Sequence, residues 1–221
     1  MIIPGRYNGP PESANGGYTC GLVSALLGGE AEVTLRRPPP LDTELEVAVE
    51  LDGTAVELRH EDAVVAEARI VEFELDVPEA VSVAQAEEAS RGYAGFEHHA
   101  YPTCFTCGPR RDDGLAIFAG PVGERELVAS PWSPPEDVAP EIVWAALDCP
   151  GGWAVDDFQR EGVLLGRMAA RVGRLPRAGE PHVVGGWRLA FDGRKRYAGS
   201  ALWTADGEVL AYARSTWIVP E

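Results

Sequence analysis

The sequence predicts an α+β protein built as two similar modules in tandem, each an apolar helix followed by an antiparallel β-meander. Three observations carry this. Two glycine pairs, Gly16-Gly17 and Gly151-Gly152, each stand beside an apolar run with helical spacing and are read as marking a helix start. Each pair is followed by a proline-containing turn and then by a series of strand patterns. The two-residue signals Asp52-Gly53 and Asp192-Gly193 interrupt those series at matching places, as hairpin turns do.

In chain order, Ile2 to Tyr7 reads as a brief strand among turn residues. Ser13 stands where an N-cap would precede a helix over Ala14 to Leu27, whose Tyr18, Leu22, Val23, Leu26 and Leu27 recur at helical spacing. Gly28-Gly29 would end it. Ala31 to Leu35 reads as a short strand, and Pro38-Pro39-Pro40 forces an irregular segment. Leu45, Val47, Val49 and Leu51 alternate with polar neighbours, which predicts a strand with one buried face. Ala55 to Arg59 and Ala63 to Leu75 complete the first meander. Residues 77–113 form a connector, with a short helix over Val81 to Arg91 and then a loop rich in aromatics, prolines and glycines. The second module has strands at Leu115 to Phe118 and Glu126 to Ser130 and an apolar helix over Glu141 to Cys149 that runs into Pro150-Gly151-Gly152-Trp153. Strands follow at Leu164 to Val172, Val183 to Phe191, Arg196 to Thr204 and Glu208 to Val219. The repeated order, with Ala68-Arg69 answering Ala213-Arg214 in the last strands, points to an internal duplication. The expected organisation is a first module at 1–76, the connector at 77–113 and a second module at 114–221.

Composition narrows the function. The 221 residues carry a net charge of −16, so phosphate backbones are repelled and nucleic acid is not an expected partner. No apolar stretch approaches the roughly 18 residues of a membrane span, and Met1 to Pro10 lacks the pattern of a secretory leader, so a cytoplasmic protein is expected. Four cysteines in a chain of this length do not suggest a disulfide scaffold.

The helix-then-meander order, stated twice, resembles the hotdog fold, and the duplication resembles the double-hotdog arrangement of the thioesterase-like superfamily. Asn15-Gly16-Gly17-Tyr18, Asp148-Cys149-Pro150-Gly151-Gly152-Trp153, and the segment Cys104 to Pro109 with Asp113-Gly114-Leu115 carry the resemblance, the last as in uncharacterised bacterial members. It implies that an acyl-thioester carbonyl lies at a central helix N-terminus, at a glycine pair, with a carboxylate on or near the helix as base or nucleophile. A small-molecule acyl-thioester such as an acyl-CoA is then the expected partner, in a homo-oligomer with no cofactor. The sequence departs from one well-known thioesterase pattern, in which the carboxylate follows the glycines by about two helical turns. Leu22 to Leu27 offers none, and Asp156, Asp157 and Glu161 do not match that spacing.

The candidate residues each have a plain alternative. Gly16, Gly17, Gly151 and Gly152 would present backbone N–H groups as an oxyanion site, or would let crowded helices pack. Asn15 would orient a carbonyl or a water, or cap its helix. Asp148, the carboxylate nearest a glycine pair, would act as general base, or as a cap or ion-pair partner. Cys104-x-x-Cys107 is half of a zinc motif, and His98, His99, Cys20 or Cys149 would have to complete it; the expectation is no metal, with Cys104 and Cys107 as the weak alternative. Tyr18, Trp144, Trp153, Trp187, Trp203 and Trp217 are expected to build core and interfaces. Two functions stay open: hydrolysis of an acyl-thioester, and non-catalytic binding of an acyl ligand in the same frame.

Overall fold

The computed structural model describes residues 1–28, 30–155 and 162–220. Asn15 starts helix α1 (Gly16–Ser24), its side chain accepting the Tyr18 N–H at 2.8 Å. The cap is therefore Asn15 rather than Ser13, and the helix closes at Ala25, short of Leu27. Strands β1 (Ala31–Leu35), β2 (Glu46–Val49), β3 (Ala55–His60) and β4 (Ala63–Ile70) follow. A capping box between Ser82 and Gln85 opens α2 (Val83–Arg91). The rest comprises β5 (Gly120–Pro121), β6 (Leu127–Trp132), α3 (Pro140–Val155), β7 (Leu164–Val172), β8 (His182–Asp192), β9 (Lys195–Thr204) and β10 (Val209–Ile218).

All ten strands join one sheet in the order β2-β3-β4-β1-β7-β10-β9-β8-β6-β5, each pairing antiparallel. Outward from the β1–β7 seam the order is the same on both sides: β4, β3, β2 on one, and β10, β9, β8 on the other. The seam pairs Val33 with Met168 and Thr34 with Arg167. Glu32, buried at the seam, meets Arg69 of β4 at 2.8 Å, Arg167 of β7 at 3.7 Å and Arg214 of β10 at 3.8 Å, so one carboxylate ties four strands across it.

Helices α1 and α3 lie side by side in opposite directions on the inner face of this sheet. Small residues set their separation. A Cβ on Gly17 would fall 2.5 Å from Asp148 Cβ, and one on Gly21 would fall 2.5 Å from Glu141 Cα. The core between helices and sheet holds Val23, Leu58, Leu147, Met168 and Leu202. Val183 and Trp203 point the other way, as the alternation of a strand requires, and are covered by Val81, Ala86 and Ala89 at α2. The second half of the sheet is thus buried on both faces, which is why β8 and β9 contain near-continuous apolar runs.

Several sequence expectations need correction. Ile2 to Tyr7 forms a single 3₁₀ turn (Gly5–Tyr7) and one bridge, Ile2 to Glu44, because Pro4 and Gly5 interrupt pairing. Leu115 to Phe118 is not a strand; its backbone is used by the connector, with Leu115 N–H donating to Phe105 O. β2 stops at Val49, and Val49 and Leu51 are exposed; the strand forms the sheet's edge beyond the reach of α1. The glycine pair Gly151-Gly152 does not begin a helix. It lies near the C-terminal end of α3, which starts at Pro140, where a missing N–H costs nothing. Pro150 is carried inside the same helix. That violation of local propensity is tolerated because the helix is buried along its length and tertiary packing outweighs propensity. Asp156, Asp157 and Glu161 lie outside the described residues, as does Gly29.

Candidate active site

The N-terminus of α1 opens into a cavity of about 580 Å³. Leu35, Val163, Leu164, Leu165, Trp217 and Ile218 give it an apolar wall, Arg36 and Arg37 stand on its lining, and Asn15, Gly16 and Asp148 form its polar end. They enter from several elements. Asn15 and Gly16 come from the start of α1, Asp148 from the middle of α3, and Leu164 and Leu165 from β7, across the seam from Leu35 of β1. The antiparallel contact between α1 and α3 delivers a carboxylate from the middle of α3 to the N-terminus of α1.

The amides of the first turn of α1 are nearly all accounted for. Tyr18 N–H is held by the Asn15 side chain and Thr19 N–H by Asn15 O at 3.0 Å. Gly17 N–H donates to Asp148 Oδ2 at 2.9 Å. Gly16 N–H has no partner among the described residues, and Gly16 is half-buried on the cavity lining. A helix start favours negative charge in front of it, so this unused donor is the natural seat for an anionic oxygen.

Asp148 is 3% exposed, and its second oxygen, Oδ1, has no hydrogen-bond partner among the described residues. An unpaired buried oxygen is costly unless something from the cavity meets it. Burial pushes the carboxyl up to about 7, against the pull of the Gly17 N–H; negative charge at Cys104 adds to the rise, and the Asn15 amide opposes it. Asp148 is therefore neither an N-terminal cap of its own helix nor part of an ion pair.

Beside Asp148 the connector loop reaches in. Thr106 Oγ1 donates to Ala145 O at 3.0 Å, and Asn15 Nδ2 donates to Thr106 Oγ1 at 3.3 Å, which pins the loop to both helices. Phe105 N–H to Asn8 O and the Arg111 guanidinium to Asn8 Oδ1 and Thr103 O hold it from outside. The loop places Cys104 and Cys107 against Cys149 of α3, with all three sulfurs within 4.8 Å of one another. Hydrogen bonds from Cys107 and Cys149 hold the Cys104 thiol well below the ordinary thiol range. Burial pushes Cys107 up, and hydrogen bonds to Cys104 and Cys107 push Cys149 up. His99 is packed edge-on to Trp153 and Tyr93, and burial lowers its pKa.

The structure thus joins Asn15, Gly16, Gly17 and Asp148 at one point and adds Cys104, Cys107, Cys149 and His99. It leaves out Gly151 and Gly152. A Cβ on Gly151 would meet Ser215 Oγ at 3.0 Å and Ala198 Cβ at 3.4 Å, so the residue is small because α3 lies close on β9 and β10. Both glycines lie inside α3 rather than at a helix start, where free amides would be available. Cys20 sits in the main core and His98 is exposed; neither joins the cysteine cluster. Thr106, unmarked in the sequence, has the one signal of lying inside the Cys-x-x-Cys motif. Trp217 lines the cavity, while Trp144, Trp187 and Trp203 are core.

No protein-family model matches the chain, and no curated protein matches it in sequence. Solved structures do match in fold. A hot dog fold protein of unknown function from Alicyclobacillus acidocaldarius superposes with a TM-score of 0.65 at 11% identity, over 99% of this chain and 91% of that one. An acyl-CoA thioesterase II from Mycobacterium marinum gives 0.59 at 12% identity over 99% and 91%, and a tesB protein from Mycobacterium avium subspecies paratuberculosis gives 0.59 at 12% over 100% and 91%. The chain has the tandem hotdog fold.

Proposed function

We propose that the protein hydrolyses an acyl-thioester, with Asp148 activating the attacking water at the N-terminus of α1. One observation carries the reading: a buried carboxylate, unpartnered at Oδ1 among the described residues, is anchored through Oδ2 to the first turn of a helix whose Gly16 N–H is likewise unpartnered among them, beside a cavity with a largely apolar wall. The apolar walls suit an acyl chain. The thioester carbonyl oxygen accepts from Gly16 N–H, where the helix start stabilises the charge that develops on it. A water held by Oδ1 gives its proton to the carboxylate as its oxygen bonds to the carbonyl carbon. The tetrahedral intermediate then collapses with cleavage of the carbon–sulfur bond, and the proton passes from Asp148 to the leaving sulfur. Acid and free thiol result. The fold shared with thioesterase II proteins supports this reading, and a coenzyme A or related carrier is its natural thiol. Arg36 and Arg37 on the cavity lining are cations that suit carrier phosphates.

A thiol-release assay over acyl-CoAs of graded chain length tests the proposal. Turnover is expected within a band of chain lengths. Asp148→Asn keeps the shape and the Gly17 contact but removes the base, so kcat should fall by about 10²–10⁴ with ligand binding retained. Binding of acyl-CoA with no turnover at any chain length would instead identify a non-catalytic acyl-binding protein.

A further inference from the structure

We propose that Cys104, Cys107 and Cys149 bind one soft divalent cation, zinc by the chemistry of the ligands, on the inner wall of the cavity beside Asp148. Cys104 Sγ and Cys149 Sγ are 3.7 Å apart, and the three sulfurs fit within 4.8 Å. Tetrahedral zinc with sulfur at about 2.3 Å separates two ligand sulfurs by about 3.8 Å, so the spacing already suits an ion at the centre. These sulfurs come from two elements far apart in the chain, a loop and the buried face of α3. Sequence spacing alone shows only the Cys-x-x-Cys half.

The loop has the backbone form that such a site needs. Gly108 N–H donates to Cys104 O at 2.9 Å, closing a tight turn around the first two cysteines. A Cβ on Gly108 would fall 2.5 Å from Cys104 N and 2.6 Å from Cys104 O, so only glycine fits. Cys149 Sγ lies within hydrogen-bonding reach of Cys104 Sγ. Asn15 Nδ2 also approaches that sulfur, at 3.8 Å. Donors converging on sulfur stabilise thiolates and orient them as metal ligands.

His99 Nε2 lies 3.4 Å from Cys107 Sγ, close enough to be considered as a fourth ligand. Its other nitrogen decides otherwise. Tyr101 N–H donates to His99 Nδ1 at 2.9 Å, so the proton of the neutral ring sits on Nε2 and faces the sulfur and Cys107 O. His99 is a donor to Cys107. The fourth coordination position is therefore left to the cavity, which all three cysteines line. Three protein ligands with one exchangeable position is the arrangement of a zinc ion that can meet a small ligand.

The test is metal content and thiol state of the whole chain, purified with zinc supplied and then dialysed. About one zinc per chain is expected by elemental analysis. Cobalt(II) in its place should give intense thiolate-to-metal charge-transfer absorption, a readout that needs no variant. Cys149→Ser and Cys104→Ser should each cut bound zinc at least tenfold with the circular dichroism unchanged, while His99→Gln should retain it. Wild-type protein without metal after loading, whether its thiols are free or joined in a disulfide by mass spectrometry, overturns the site. So does full zinc occupancy in Cys149→Ser. Loss of zinc in His99→Gln overturns the open fourth position, because the histidine would then be a ligand.

Discussion

The two glycine pairs look alike in sequence and do different things. Gly16-Gly17 opens α1, faces a cavity and uses one amide to hold Asp148. Gly151-Gly152 lies inside α3, and Gly151 is small so that the helix can sit on β9 and β10. A glycine pair beside an apolar run reports close approach. It does not say whether the approaching partner is a ligand or a strand. The same contrast holds for the two helix starts. At α1 the Gly17 amide meets a carboxylate of the opposite helix beside a 580 Å³ cavity, whereas the start of α3, at Ile142, borders a cavity of only about 150 Å³ between Trp132, Phe105 and Pro135. The two helix starts are thus unequal, and the roomier of these two cavities is the one at α1.

The contrast can be tested by substitution, from the largest expected effect down. Gly17→Ala places a Cβ 2.5 Å from Asp148 Cβ and 2.6 Å from Trp144 O, both on a packed helix. It should destabilise the fold by about 2–4 kcal/mol, above the usual range for overpacking because backbone must move. Turnover should fall with it, because the Gly17–Asp148 hydrogen bond is displaced; denaturant midpoints and thiol release together would show both. Asn15→Ala removes the α1 cap and the amide that supports Thr106. A loss of about 1–2 kcal/mol is expected in the same unfolding measurement. Gly151→Ala should do least. Its nearest contacts are a hydroxyl at 3.0 Å and a methyl and the Trp217 indole nitrogen at 3.4 Å, and alanine favours helix by about 1 kcal/mol. Stability within about 1 kcal/mol of the parent and unchanged turnover are expected; a rate loss at Gly151 matching that at Gly17 would refute the division of roles.

Most of the fold was legible in the sequence, and the site only in part. Strands β7 to β10 and β3 fell within a residue or so of their expected bounds, because alternation and Asp-Gly turns are local signals. β2 was read too long, since the pattern of Leu45 to Leu51 cannot tell an edge from a covered strand. Asp148 and Asn15 were visible as residues of interest, but Asp148 was tied to the wrong glycines. Its sequence neighbours are Gly151-Gly152, whereas its partner in space is Gly17, 131 positions away. The cysteine cluster was half visible for the same reason: Cys104 and Cys107 share a turn, while Cys149 reaches them only through helix packing.

By itself, then, the sequence determined the elements, their order and the need for two helices narrow enough to pack closely. Periodicity, turn residues and caps act over a few positions, and the chain states them directly. Tertiary structure alone decided that the two meanders join at β1 and β7, that α1 and α3 run in opposite directions, and that a carboxylate and three thiols converge on one helix start. Those contacts depend on how buried faces fit across the whole core, and no local stretch of sequence encodes that fit.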